Sequence, residues 1–150
     1  MMLDALLQLS SAQAVTASAV STNTIDLSVA RDMGPGRPLY MVIGVDTTAT
    51  AAGAATVTFQ AITSAAANLG SPTVLAQTDA IGKAELTAGR KLICVPVPPS
   101  VLNAQPNGQR YLGVNYEVAT GPLTAGAFTC YLTDTMPPGA QLYSSGFSVL

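Results

Sequence analysis

The clearest alternation of apolar and polar positions runs from residue 110 to 133, RYLGVNYEVATGPLTAGAFTCYLT. Leu112, Val114, Tyr116 and Val118 alternate with Tyr111, Gly113, Asn115 and Glu117; Phe128, Cys130 and Leu132 alternate with Ala127, Thr129, Tyr131 and Thr133. A strand turns successive side chains to opposite faces, so each run reads as a strand with one face inward. Gly121, Pro122 and Gly126 interrupt the pattern, and the stretch predicts two antiparallel strands joined by a loop.

The same period recurs upstream. In residues 39–46, LYMVIGVD, Leu39, Met41, Ile43 and Val45 give one apolar face. Tyr40 and Val42 make the second face partly apolar, so this strand is expected at the centre of a sheet or covered on both sides. In residues 54–63, Val57, Phe59 and Ala61 oppose Thr56, Thr58, Gln60 and Ile62, and the β-branched alternation favours a strand over the helix its alanines would allow. Residues 73–78 and 91–97 complete the stronger set; Pro96 cannot donate to a ladder, so its end of the strand is expected at an edge or leaving the sheet. Residues 14–19 and 23–29 are weaker strands, because Ala and Ser form strands poorly. Residues 1–9 read as a short helix or an extended arm, with Leu3, Leu6 and Leu7 on one side. Residues 31–38, 47–53, 64–72, 79–89 and 98–109 read as loops or connectors. About eight short strands with turns between them, and no long helix, predict an all-β chain folded as an antiparallel sandwich or barrel.

Composition adds one point. The 150 residues suit a single domain with a sizeable core. Only 9% are charged, against a usual share of about 25%. A domain alone in water normally carries more charge, so much of this surface is expected to be covered by other protein chains. Net charge is −2 and the six basic residues are scattered, which gives no phosphate-binding stripe; no nucleic-acid partner is expected. No apolar run approaches the ~20 residues of a membrane-spanning helix, so no membrane is expected. Asp4 interrupts the apolar start, and no basic residue precedes it, so a signal peptide is not expected either.

The search for chemistry is short. There is no His, which excludes His-based triads and most general acid–base designs. Nucleophile-elbow, Ser-x-x-Lys and phosphate-loop motifs are absent. The eight acids show no catalytic spacing, and two cysteines without His do not build a metal site. The expectation is therefore no enzyme, no cofactor and no metal. Cys94 and Cys130 fall in predicted strands, as two reduced core thiols or as a disulfide if those strands pair. The last eleven residues keep Leu142, Tyr143, Phe147, Val149 and Leu150, too apolar to fray in water.

Four ordered segments, MLDALLQLSSAQAVTASAVSTNTIDL, ARDMGPGRPLYMVIGVDTT, SPTVLAQTDAI and YLGVNYEVATGPLTAG, together resemble the capsid cement (decoration) proteins of tailed bacteriophages, of the Bordetella-phage type. The similarity covers most of residues 2–133. It implies a β-sandwich of the jelly-roll type over residues 1–135, with an extended N-terminal arm (1–12) and a tail (136–150) docking on its own domain or on a neighbouring subunit. It further implies a structural protein, assembled in the host cytoplasm, on the exterior of the virion. There it would bind the major capsid protein and itself, as a homodimer or homotrimer. Candidate interface residues are Leu3 and Leu6 of the arm, Arg31, Arg37 and Arg110 facing acidic capsid surface, Tyr111 and Tyr131 on the outward faces of the last two strands, and Tyr143 and Phe147 of the tail. The alternative is a carbohydrate-binding or host-adhesion module using Tyr111 and Tyr131.

Overall fold

The computed structural model describes residues 4–29, 39–97 and 109–139 and the backbone of 141–142. A 3-10 turn, Ala5–Leu7, leads into β1 (Gln8–Ala14), β2 (Ala19–Val20), β3 (Ile25–Asp26), β4 (Leu39–Thr50), β5 (Thr56–Ser64), β6 (Thr73–Gln77) and β7 (Ile81–Gly82). A second 3-10 turn, Lys83–Glu85, precedes β8 (Ile93–Val97), β9 (Tyr111–Ala119), β10 (Ala125–Thr133) and β11 (Gln141–Leu142). The chain is all-β, as its alternation predicts.

The strands form two sheets, ordered β1-β10-β4-β8-β11 and β2-β9-β5-β6, with β3 also on β9 and β7 also on β5. Taking β2 and β3 as two pieces of one interrupted strand, β1-β10-β4-β8 faces β2-β9-β5-β6. This is the jelly-roll order, in which the chain keeps crossing between sheets. Among the described residues the pairs are antiparallel except one: β11 lies parallel to β8, with Gln141 opposite Ile93 and Leu142 opposite Cys94.

β4 occupies the centre of its sheet, and Met41, Val42 and Ile43 are all fully buried, so the two apolar faces of this strand have the meaning expected of them. It also runs on to Thr50, through residues that read as a connector. The small side chains there do not block extension, and Thr50 pairs with Ala125 across the sheet. β8 ends as Pro96 requires: β11 covers only Ile93 and Cys94, leaving the Pro96 end as an edge among the described residues.

Three expectations are corrected. The strand near the N-terminus spans Gln8–Ala14 rather than residues 14–19, because Leu9 and Ser10 pack inside and the backbone then bulges, with Ala12 at φ 44°. Only Ile25–Asp26 of residues 23–29 is strand. The last two long strands are not a hairpin: β9 pairs with β2, β3 and β5, whereas β10 pairs with β1 and β4. Alternation and a Gly/Pro break look the same whether the chain folds back within a sheet or arches across the sandwich.

The two inner faces meet at Phe59, Tyr116 and Phe128, whose ring centroids lie 5.2–5.8 Å apart. The Tyr116 hydroxyl hydrogen-bonds the buried Ser10 hydroxyl and so ties β9 to β1 across the layers. Burial raises the Tyr116 phenol far above its ordinary pKa, so it stays neutral. Cys94 and Cys130 are both buried and free, and burial pushes both thiols up. They flank β4, Cys94 opposite Val42 and Cys130 opposite Ile43, on opposite faces of the sheet. Two strand spacings, about 9.5 Å, exceed the reach of a disulfide.

Candidate interaction surface

At one end of the sandwich β4, β6 and β9 begin and β5, β8 and β10 finish. The sheets part there around a cleft of about 400 Å³. Its walls are Leu7, Ile25, Leu27, Leu39, Leu112 and Leu132; Thr133, Asp4 and Asp134 stand at its polar rim. Leu39, Leu112 and Leu132 also line a narrower gap that leads inward past Val97 and Leu75. A cleft walled by leucines and rimmed by two carboxylates suits an apolar occupant without acidic groups. Among the described residues no group of three or more His, Cys, Asp or Glu is placed to hold a metal ion.

Beside the cleft the Ala5–Leu7 turn projects Leu6, which is 83% exposed. Asp4 caps this turn: its carboxylate accepts the Leu6 N–H at 2.9 Å and its carbonyl the Leu7 N–H at 3.0 Å. An apolar side chain on a capped turn is held out rather than left to collapse onto the sheet. A smaller recess next to it is lined by Asp4, Ala5, Gln8 and Tyr131.

Arg110 and Tyr111 sit at the start of β9, at the same end. Arg110 makes a bidentate pair with Asp26 of β3, Nε–Oδ1 2.5 Å and Nη2–Oδ2 2.6 Å, and its guanidinium lies 5.2 Å over the Tyr111 ring. Asp26 also accepts the Ser28 N–H at 2.7 Å. The Arg110 hydrogen bond first, and the Ser28 N–H second, hold the Asp26 carboxyl below the usual carboxylate range. A depressed folded pKa gives stability that is present above the unfolded value, about 3.9, and lost as pH falls through the folded one. Asp26→Asn should therefore lower the urea midpoint at pH 7, and the gap between variant and parent should close in strong acid. The gap should also shrink in high salt, because the pair is exposed.

Tyr131 departs from the reading of it as an exposed aromatic. It points away from the central core, but it is only 5% exposed, packed with Val42 and Cys94 under Tyr40 and Leu92. It also lies in the opposite sheet from Tyr111, so the two rings do not stack across strands. Leu6, Arg110 and Tyr111 share one end of the molecule. Leu3, Arg31, Arg37, Tyr143 and Phe147 lie outside the described residues. The cleft leucines and Asp26 escaped the sequence reading. Leu39, Leu112 and Leu132 look there like any inward strand residue, and Asp26 is 84 positions from the arginine it pairs with.

Fold and surface together define a jelly-roll domain with a leucine-walled cleft at one end. Residues 9–132 match the Bbp16 family, and the chain belongs to that family, whose name points to a Bordetella phage protein. No curated protein matches the chain.

Proposed function

We propose that this protein is a structural component of a bacteriophage head, binding the outer surface of the shell and cementing neighbouring major capsid subunits as a small homo-oligomer. On this reading it turns over no substrate. Membership of the Bbp16 family carries the proposal. The 9% charged composition, unusual for a domain that stays alone in water, and the capped, outward Leu6 support it. A contact of about 800 Å² per partner is modest, but repeated around a symmetric shell by linked subunits it becomes hard to release. The sugar-binding alternative is less well supported. It needs open aromatic faces, and Tyr131 is buried while the Tyr111 ring carries the Arg110 guanidinium.

Co-sedimentation with expanded heads of the same phage tests the reading. The parent protein should pellet with the heads. Leu6→Asp should keep its melting temperature, since Leu6 contacts solvent, yet bind roughly tenfold or more weakly, the equivalent of about 1.5–3 kcal/mol for burying a leucine. Parent protein that stays in the supernatant at every concentration overturns the proposal.

A further inference from the structure

We propose that the leucine cleft is a docking site for a segment of a partner protein in which apolar side chains are flanked by Lys or Arg. This goes beyond the cement reading and does not depend on it. At about 400 Å³ the cleft falls within the size range of ordinary ligand pockets, and its walls are aliphatic. Leu27, Leu39 and Leu132 are only partly buried there, so an occupant that covers them removes apolar surface from water. Leu6, held out beside the mouth by the Asp4 cap, extends the apolar contact beyond it.

The rim sets the sign of the occupant. Asp4 and Asp134 are both exposed, and each has one carboxylate oxygen engaged: Asp4 Oδ1 accepts the Leu6 N–H at 2.9 Å, and Asp134 Oδ1 accepts the Thr135 hydroxyl at 3.0 Å. Among the described residues the second oxygen of each is open, and neither acid is in an ion pair. Two anions at the mouth of an aliphatic cleft attract a cation next to the apolar group that fills it. They also act against other occupants. A second copy offering Leu6 would bring its own Asp4, two positions away, up to these acids, and a phospholipid surface would bring phosphates.

Two capped hexapeptides test the proposal by titration calorimetry on the full chain: Gly-Lys-Leu-Phe-Lys-Gly, and the same peptide with Glu in place of each Lys. The Lys peptide should bind saturably at low salt, about fivefold or more tighter than the Glu peptide, and the preference should shrink as salt rises. Asp4→Asn with Asp134→Asn keeps an acceptor oxygen at both positions and should keep the melting temperature, yet bring the two affinities together. Leu27→Ser, outside any strand, should weaken both peptides several-fold. No saturable binding of the Lys peptide overturns the proposal, as does equal affinity for the two peptides in the parent. A preference that survives the paired Asn substitutions also overturns it, because the charge is then read elsewhere. Self-association that the Lys peptide displaces means that the cleft takes a second copy instead. None of these readouts involves heads, so failure here and failure of the cement reading are separable.

Discussion

Phe128→Ala is expected to reduce the unfolding free energy by about 3–5 kcal/mol. Phe128 belongs to β10 and is fully buried; it packs edge-on against Phe59 at 5.2 Å and stacks with Tyr116 at 5.6 Å, both in the facing sheet. Truncation removes its contacts with both rings and leaves a cavity between layers that β-sheet backbones are too stiff to close. Domains of this size hold roughly 5–15 kcal/mol in total, so about a fifth or more of the stability is at stake. Urea denaturation should show the midpoint falling with little change in slope. Val29→Ala, at a 58% exposed position, should change it by no more than about 0.5 kcal/mol. A Phe128 variant that matches this control would mean that the two sheets do not depend on the aromatic trio.

The second large effect comes from adding one methyl group. Gly113 faces its neighbours so closely that a Cβ would overlap Leu69 Cδ1 and stand 3.1 Å from Ser21 Oγ. Neither neighbour yields easily. Leu69 is 2% exposed, sits at φ 57° and donates its N–H to Ala66. The Ser21 hydroxyl accepts the Val114 N–H and donates to the Asn23 carbonyl. Gly113→Ala should therefore cost about 1–3 kcal/mol through overpacking. The cause is separable by a double-mutant cycle with Leu69→Ala, in which the combined loss should be smaller than the sum of the two single losses. Strict additivity would place the cost elsewhere in the strand.

How much of this was legible in the chain varies from one residue to the next. Val57, Phe59 and Ala61 announce a strand and its inner face, and all three are buried. Tyr40 and Val42 announce a strand covered on both sides, and β4 is one. These signals are local, since each needs only the few residues around it. The arch between β9 and β10 is different, because Gly121 and Pro122 mark a change of direction without stating which sheet the chain enters next. The same holds for the two thiols. Their strand positions are readable, but their separation by β4 is not.

Family resemblance narrowed the architecture further than alternation did, since jelly-roll order follows from no single stretch. The interaction surface was the least legible part. The cleft exists because strand ends from two sheets part at one end of the sandwich, and its leucines come from the Ala5–Leu7 turn, β4, β9, β10 and the loop after β3. Arg110 carries a charge that sequence reading turned outward. In the fold its guanidinium is engaged by Asp26 and laid over Tyr111.

Extended backbone forces neighbouring side chains onto opposite faces, so the order of residues alone is enough to settle strand content, inner faces and the scarcity of ionisable chemistry. Hydrogen-bond partners along a strand edge carry no such local mark. Which strands pair, which thiols are kept apart and where the two layers part are chosen only when both sheets close on a shared core, because each pairing is stable only in the presence of the others.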